Sequence, residues 1–301
     1  LNIFGSSGFS MPRKQLIEYM KYAMAIDMAE VVLEQLINLR IIRYAEYKAR
    51  YILFEGTDIN IEDEIIKASA VIPVPIHPID LLRKEFKNRV APVKAYYYHS
   101  GTPRYFEYRL YDEPFGQPPA NEVDGFIELI FSTRENTYDE VSSFSKDCKH
   151  AIVFAVFNHT EAIIEHLHKI QIYDYIVEKI LIDKTDNVAL SEIRNLRMYE
   201  QNLLNKKIKN SLFSYHDEVT WFYKGMEKKI SSQRDFNALL SDVCNDVYFL
   251  TPVINNELIN RQKLSASISA ARVKYLQALI LYADKEDLSW EKDKYPPEKT
   301  I

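Results

Sequence analysis

The sequence predicts an α+β protein with an N-terminal winged helix, a small parallel α/β unit and a C-terminal helical domain. Three observations predict it. Within residues 12–55, two amphipathic helical stretches run almost directly into a β-patterned segment. Two nearly continuous apolar runs, 125–132 and 150–157, are each followed by a helical pattern. From residue 186 onward the apolar spacing is mostly helical. The expected boundaries are 1–88, 89–185 and 186–301.

Residues 12–24 carry Leu16, Ile17, Met20 and Ala23 at helical spacing, with Pro12 at a position suited to a helix start. Asp27 is a candidate N-cap for a second helix over 28–39, built on Val31, Val32, Leu36 and Leu39. Tyr44 and Tyr51 flank a turn at 46–48, and the segment reads as a β-ribbon. Helices follow at 60–70 and 78–87, joined by the proline-spaced connector 71–78. Residues 94–100 and 104–112 read as paired strands rich in tyrosine. Helices are expected over 136–146 and from Thr160 to 170. Beyond them lies a long helical stripe through Leu190, Ile193, Leu196, Leu203 and Ile208. It is interrupted by a strand pair around 218–230. Ser232 and Ser265 are candidate caps for helices over 233–247 and 266–283.

Composition narrows the function. The chain has 301 residues, a formal net charge of −5 and only seven glycines. Scarce glycine argues against phosphate-cradling loops, and the negative charge against non-specific coating of nucleic acid. Two cysteines make no disulfide framework, and the chain reads as cytoplasmic, with no membrane partner. It opens on Leu1 and ends just after a Pro-Pro pair, and is expected to be a piece of a longer protein. No Walker A or GxGxxG motif is present.

The helix over 28–39 would be the reading helix of a winged helix, yet its outward positions are Glu30, Glu34, Gln35 and Asn38. DNA-reading helices present Arg, Lys or Asn. Seven basic and seven acidic residues leave residues 1–60 without net charge. The ribbon is basic through Arg43, Lys48 and Arg50, which keeps duplex contact open as an alternative. Arg261, Lys263 and Arg272 form a second basic group, read either as a solvated turn or as a docking surface for a neighbouring nucleotide site. His159, His166, His168, Glu161 and Glu165 lie close in sequence. Only Glu161, Glu165 and His168 share helical spacing, so a solvated face is expected rather than a metal site. No nucleophile with a base and an orienting partner is evident, and no catalytic residue is assigned.

Four stretches together carry a resemblance: ARYILFEGTDINIEDEI (49–65), HSGTPRYFEYRLYDE (99–113), WFYKG (221–225) and TPVINNELINRQKLSASISAARVKYLQALI (251–280). Their order resembles the region C-terminal to the ATPase module in large P-loop proteins of bacterial phage-exclusion (BREX) systems and their uncharacterised relatives. The resemblance spans most of the chain. It implies an accessory fragment of a large cytoplasmic defence ATPase, with Walker motifs, ATP and Mg belonging to the parent protein and no cofactor to this segment. The implied partners are other domains of that ATPase and other defence-system proteins.

Overall fold

The computed structural model describes residues 11–39, 41–45, 48–53, 59–87, 90–120, 123–132, 134, 137–178, 186–213, 217–254, 263–285 and 288. They form a mixed α+β protein with ten helices, a six-stranded sheet and a two-stranded sheet. The chain separates into two compact units. One comprises Leu1–Phe86 with Thr160–Lys209, the other Lys87–His159 with Asn210–Ile301. Three consecutive domains, 1–88, 89–185 and 186–301, are expected from sequence; the contacts instead interleave. The expected middle region gives its last helix to the first unit, and the expected helical region gives two strands to the sheet.

In the first unit, helices α1 (Arg13–Tyr22) and α2 (Ala29–Asn38) precede strands β1 (Ile42–Ala45) and β2 (Arg50–Leu53). The strands pair antiparallel with Tyr44 opposite Tyr51, whose rings meet edge-on at 5.1 Å. Met11 adds a parallel bridge to Arg50. Leu16 and Met20 of α1, Ala29 and Leu33 of α2, and Ile42 and Tyr51 of the ribbon bury one small core. The helical period supplies this core: residues three or four apart share a face. Asp27 does not cap α2, which starts after Met28 with no side-chain cap.

Helices α3 (Ile61–Val71) and α4 (Ile79–Glu85) complete the N-terminal segment. They are joined in this unit by α7 (Glu161–Ile176) and by residues 187–209 of α8 (Asn187–Phe213). Ile59, Ala68, Ile172, Ile176, Ala189 and Ile193 form its second core. A polar knot ties three of these helices. Arg197 Nε donates to Asp174 at 2.9 Å, its Nη2 donates to the buried Glu85 at 2.6 Å, and Gln201 also donates to Glu85 at 2.6 Å. A buried carboxylate persists only when so partnered.

In the second unit, β3 (Val90–Pro92), β4 (Tyr105–Tyr111), β5 (Gly125–Ile130), β6 (Ile152–Phe157), β7 (Val219–Tyr223) and β8 (Met226–Lys228) lie side by side in that order. β4, β5 and β6 run parallel; the other pairings are antiparallel. The parallel core is expected, but the sheet is mixed. β5 and β6 are buried along their whole length, which is why their sequences are almost entirely apolar, Glu128 being the exception. Helix α6 (Thr137–Asp147) covers one face, with Val141 packed among Phe126, Ile130, Phe154 and Phe222. Helix α9 (Gln233–Val247) covers the other, placing Phe236 against Trp221 at 5.2 Å. Neighbouring strand residues such as Trp221 and Phe222 point to opposite faces.

Residues 94–100 differ from expectation. They form helix α5 (Lys94–Ser100) rather than a strand, and the partner of β4 is β3. Tyr96 and Ser100 are buried four residues apart, a helical spacing that the run of three tyrosines disguises. Gly101, at φ 73°, closes the helix by donating to the Tyr97 carbonyl at 2.8 Å. Both serine caps form: Ser232 accepts from the Asp235 N–H, and Ser265 accepts from the Ile268 N–H of α10 (Ala266–Leu281). No helix among the described residues is long and apolar enough to cross a membrane.

Candidate functional site

The ribbon brings two of its three predicted basic residues onto one face. The register sets Arg43 opposite Ile52 and Arg50 opposite Ala45, so Arg43 and Arg50 share a side. Lys48 lies exposed in the turn between the strands. Arg43 is already engaged: its Nη1 lies 2.5 Å from Oε1 of Glu192 on α8, a buried carboxylate. The outward positions of α2 include Glu30, Glu34, Gln35 and Asn38, as the periodicity predicts, but Val31, expected on the apolar stripe, is exposed too, and Ala29 and Leu33 are buried instead. Arg13 of α1 lies 2.5 Å from Glu34 and 3.6 Å from Glu30, so this cation is bound by the acids of that helix.

The second basic group is only partly described. Arg261 lies outside the described residues. Lys263 is exposed ahead of α10, and Arg272 is exposed in the second turn of that helix. The histidines are separated as well. His166 Nδ1 meets Glu200 of α8 at 2.6 Å, while His168 Nε2 meets the Ile72 carbonyl at 2.8 Å. Glu165 pairs with Lys169 at 2.8 Å instead of facing His168. Among the described residues no group of three His, Cys, Asp or Glu is placed to hold a metal.

Open α/β sheets bind ligands beyond the carboxyl ends of their parallel strands. Here that edge is occupied by the protein's own side chains. Tyr138, at the start of α6, bonds Asn158 and lies 2.8 Å from Thr220; Asn158 Nδ2 donates to the Asp217 carbonyl at 2.7 Å. Thr137 donates to Ser132 at 2.8 Å, and Arg134 pairs with Glu113 at 3.3 Å.

The sequence pattern hides two clusters. Glu128 sits inside the apolar run of β5, fully buried, and accepts from the N–H groups of Phe115 at 2.9 Å and Gly116 at 2.8 Å. It thereby fastens the loop after β4 over the sheet. Gly116, at φ 64°, has the Phe144 ring so close that a Cβ there would lie 2.5 Å from it. Burial raises the Glu128 carboxyl above its ordinary range, against the two N–H donors and Arg109. The only sequence signal was a lone acid in an apolar strand.

The second cluster centres on Arg104. Its Nη1 lies 2.6 Å from Asp124, its Nη2 donates to Thr251 at 3.0 Å, and its guanidinium lies 4.0 Å from the Tyr248 ring. Tyr248 in turn donates to the Asp124 carbonyl. An open hollow of about 540 Å³ lies alongside, walled by Thr102, Arg104 and residues 247–252.

No known protein family, curated protein or solved structure matches the chain. Its function therefore rests on its own chemistry. The thiols are poorly placed to act: burial pushes Cys244 up to about 12 and raises Cys148 as well. What the geometry offers is fixed polar ties and closed ion pairs.

Proposed function

We propose that this chain is a non-catalytic accessory segment of a large bacterial antiphage-defence ATPase, where it couples or assembles parts of that protein. Its helix–helix–ribbon acts as a winged helix that touches protein. The order α1, α2, β1, β2 supports that arrangement. The observation that carries the reading is the outward face of α2. Glu30 and Glu34 flank the exposed Val31 there, and a duplex would have to bring its phosphates against them. In this reading ATP and Mg are bound by the parent protein, its other domains and other defence proteins are the partners, and the setting is the bacterial cytoplasm.

The competing reading is duplex contact through Arg43, Lys48 and Arg50. The exposed Lys48 favours it; the Arg43–Glu192 pair opposes it. Two tests address the main proposal. Purified chain mixed with ATP and Mg should release no phosphate above a blank, and measurable hydrolysis overturns it. The coding sequence upstream of Leu1 should contain a Walker A and a Walker B motif, and their absence contradicts the ATPase context.

A further inference from the structure

The connector between α3 and α4 reads VIPVPIHP over residues 71–78. Its exposure repeats every three residues. Ile72, Pro75 and Pro78 are partly buried, whereas Val71, Pro73, Val74, Ile76 and His77 are exposed. A period of three belongs to the polyproline II helix; a strand would repeat every two. The prolines impose that backbone, since each holds its own φ and pushes the residue before it into the extended region. Ile72 is extended, at φ −88° and ψ 113°, and the run stays extended to Pro75 before bending over 76–77 into α4. Among the described residues no backbone hydrogen bond reaches Pro73 to His77, which is how polyproline II leaves its backbone groups. The inner edge is fastened. Ile72 packs against the core of Ala68, Ile172 and Ile176, and its carbonyl lies 2.8 Å from His168 Nε2 of α7. The outer edges carry Val74 and Ile76, 56% and 84% exposed. Ending α3 and starting α4 calls for Pro73 and Pro78. It calls for neither Pro75 nor large apolar side chains turned to solvent.

We propose that residues 72–76 are a polyproline II ligand, docked by an aromatic-lined groove on a partner protein. The chemistry of the segment selects that partner. Proline-rich segments are read by grooves whose aromatic rings seat the prolines and apolar side chains, and whose Trp or Tyr donors reach carbonyls left free along the backbone. Here Pro73, Val74 and Ile76 face outward and the carbonyls beside them are unbonded within the described residues. Residues 68–79 contain no Asp, Glu, Lys or Arg. The segment therefore offers no cation to a phosphate backbone or to an anionic lipid surface. Its backbone is already ordered by the prolines and by the Ile72 anchor, so little conformational freedom is lost on docking. The inference is independent of the winged-helix reading, since it concerns the connector that follows the helix–helix–ribbon.

Photo-cross-linking with peptide competition tests it. Ile76 is replaced by p-benzoylphenylalanine in the full chain, which is irradiated in a lysate of the cell that carries the gene naturally, and adducts are mapped by mass spectrometry. The expected result is one principal protein, cross-linked beside Trp or Tyr residues that line a groove. An excess of a synthetic peptide spanning residues 70–79 should lower the adduct yield at least about tenfold. The same peptide with Pro73→Ala and Pro75→Ala should compete far less, because it no longer holds the polyproline II backbone. The paired substitutions in the full chain should lower the yield as well, with the fold checked by circular dichroism. If that variant unfolds, the two peptides alone decide. Absence of adducts, adducts scattered over many proteins, adducts only to a second copy of this chain or to lipid, or equal competition by the two peptides overturns the proposal.

Discussion

Glu128 and Cys244 show how burial sets the chemistry of single residues. The Glu128 carboxyl is held above its ordinary range by desolvation. A group whose folded pKa exceeds its unfolded one adds stability below the unfolded value and loses it as pH rises through the folded value. The stability difference between the natural chain and Glu128→Gln should therefore shift against the natural chain as pH rises from the ordinary carboxylate range toward neutrality. Urea unfolding at a series of pH values measures it, and a difference that is flat or moves the other way refutes the assignment. Cys244 is fully buried with its thiol near 12, whereas Cys148 is half-buried. Ellman's reagent at neutral pH should titrate no more than one thiol in the native chain and both in guanidinium. Rapid reaction of Cys244 in the native chain would contradict its burial.

At the scale of elements, caps and cores separate residues that look alike in sequence. Ser232 caps α9 with a real hydrogen bond, while Thr160 precedes α7 without one. Ser232→Ala should cost about 1 kcal/mol and Thr160→Ala much less, as urea midpoints will report. Within α2, Leu33 is fully buried and Val31 is exposed. Leu33→Ala should cost roughly 2–5 kcal/mol and Val31→Ala well under 1 kcal/mol. Equal costs would contradict the register of that helix. Periodicity made α1, α2, β5, β6 and α8 legible in sequence, because each is long or strongly patterned. It misread residues 94–100, where three tyrosines favour a strand locally but the burial of Tyr96 and Ser100 and the Gly101 cap impose a helix. It also read Asp27 as a cap, but a capping residue type does not guarantee the bond.

At the scale of the whole chain, sequence order is a poor guide to association. α7 follows β6 directly yet packs on α3, and β7 joins β6 from more than sixty residues away. Such long-range pairing is set by which buried faces match, and no local window records it. The same holds for function. Arg43, Lys48 and Arg50 are legible as a basic ribbon, but the partner of Arg43 is Glu192, far along the sequence, so the charge of Arg43 is neutralised by the fold. Arg104, Tyr248 and Thr251 were equally invisible, since their meeting depends on the sheet. In the proposed function the helix–helix–ribbon faces protein rather than DNA. Fluorescence anisotropy with a labelled random-sequence duplex, at low and at physiological salt, tests this most directly. We expect no binding tighter than about 1 μM at physiological salt, and no change on combined Arg43→Glu, Lys48→Glu and Arg50→Glu substitution. Tight, salt-dependent binding abolished by that substitution would contradict it.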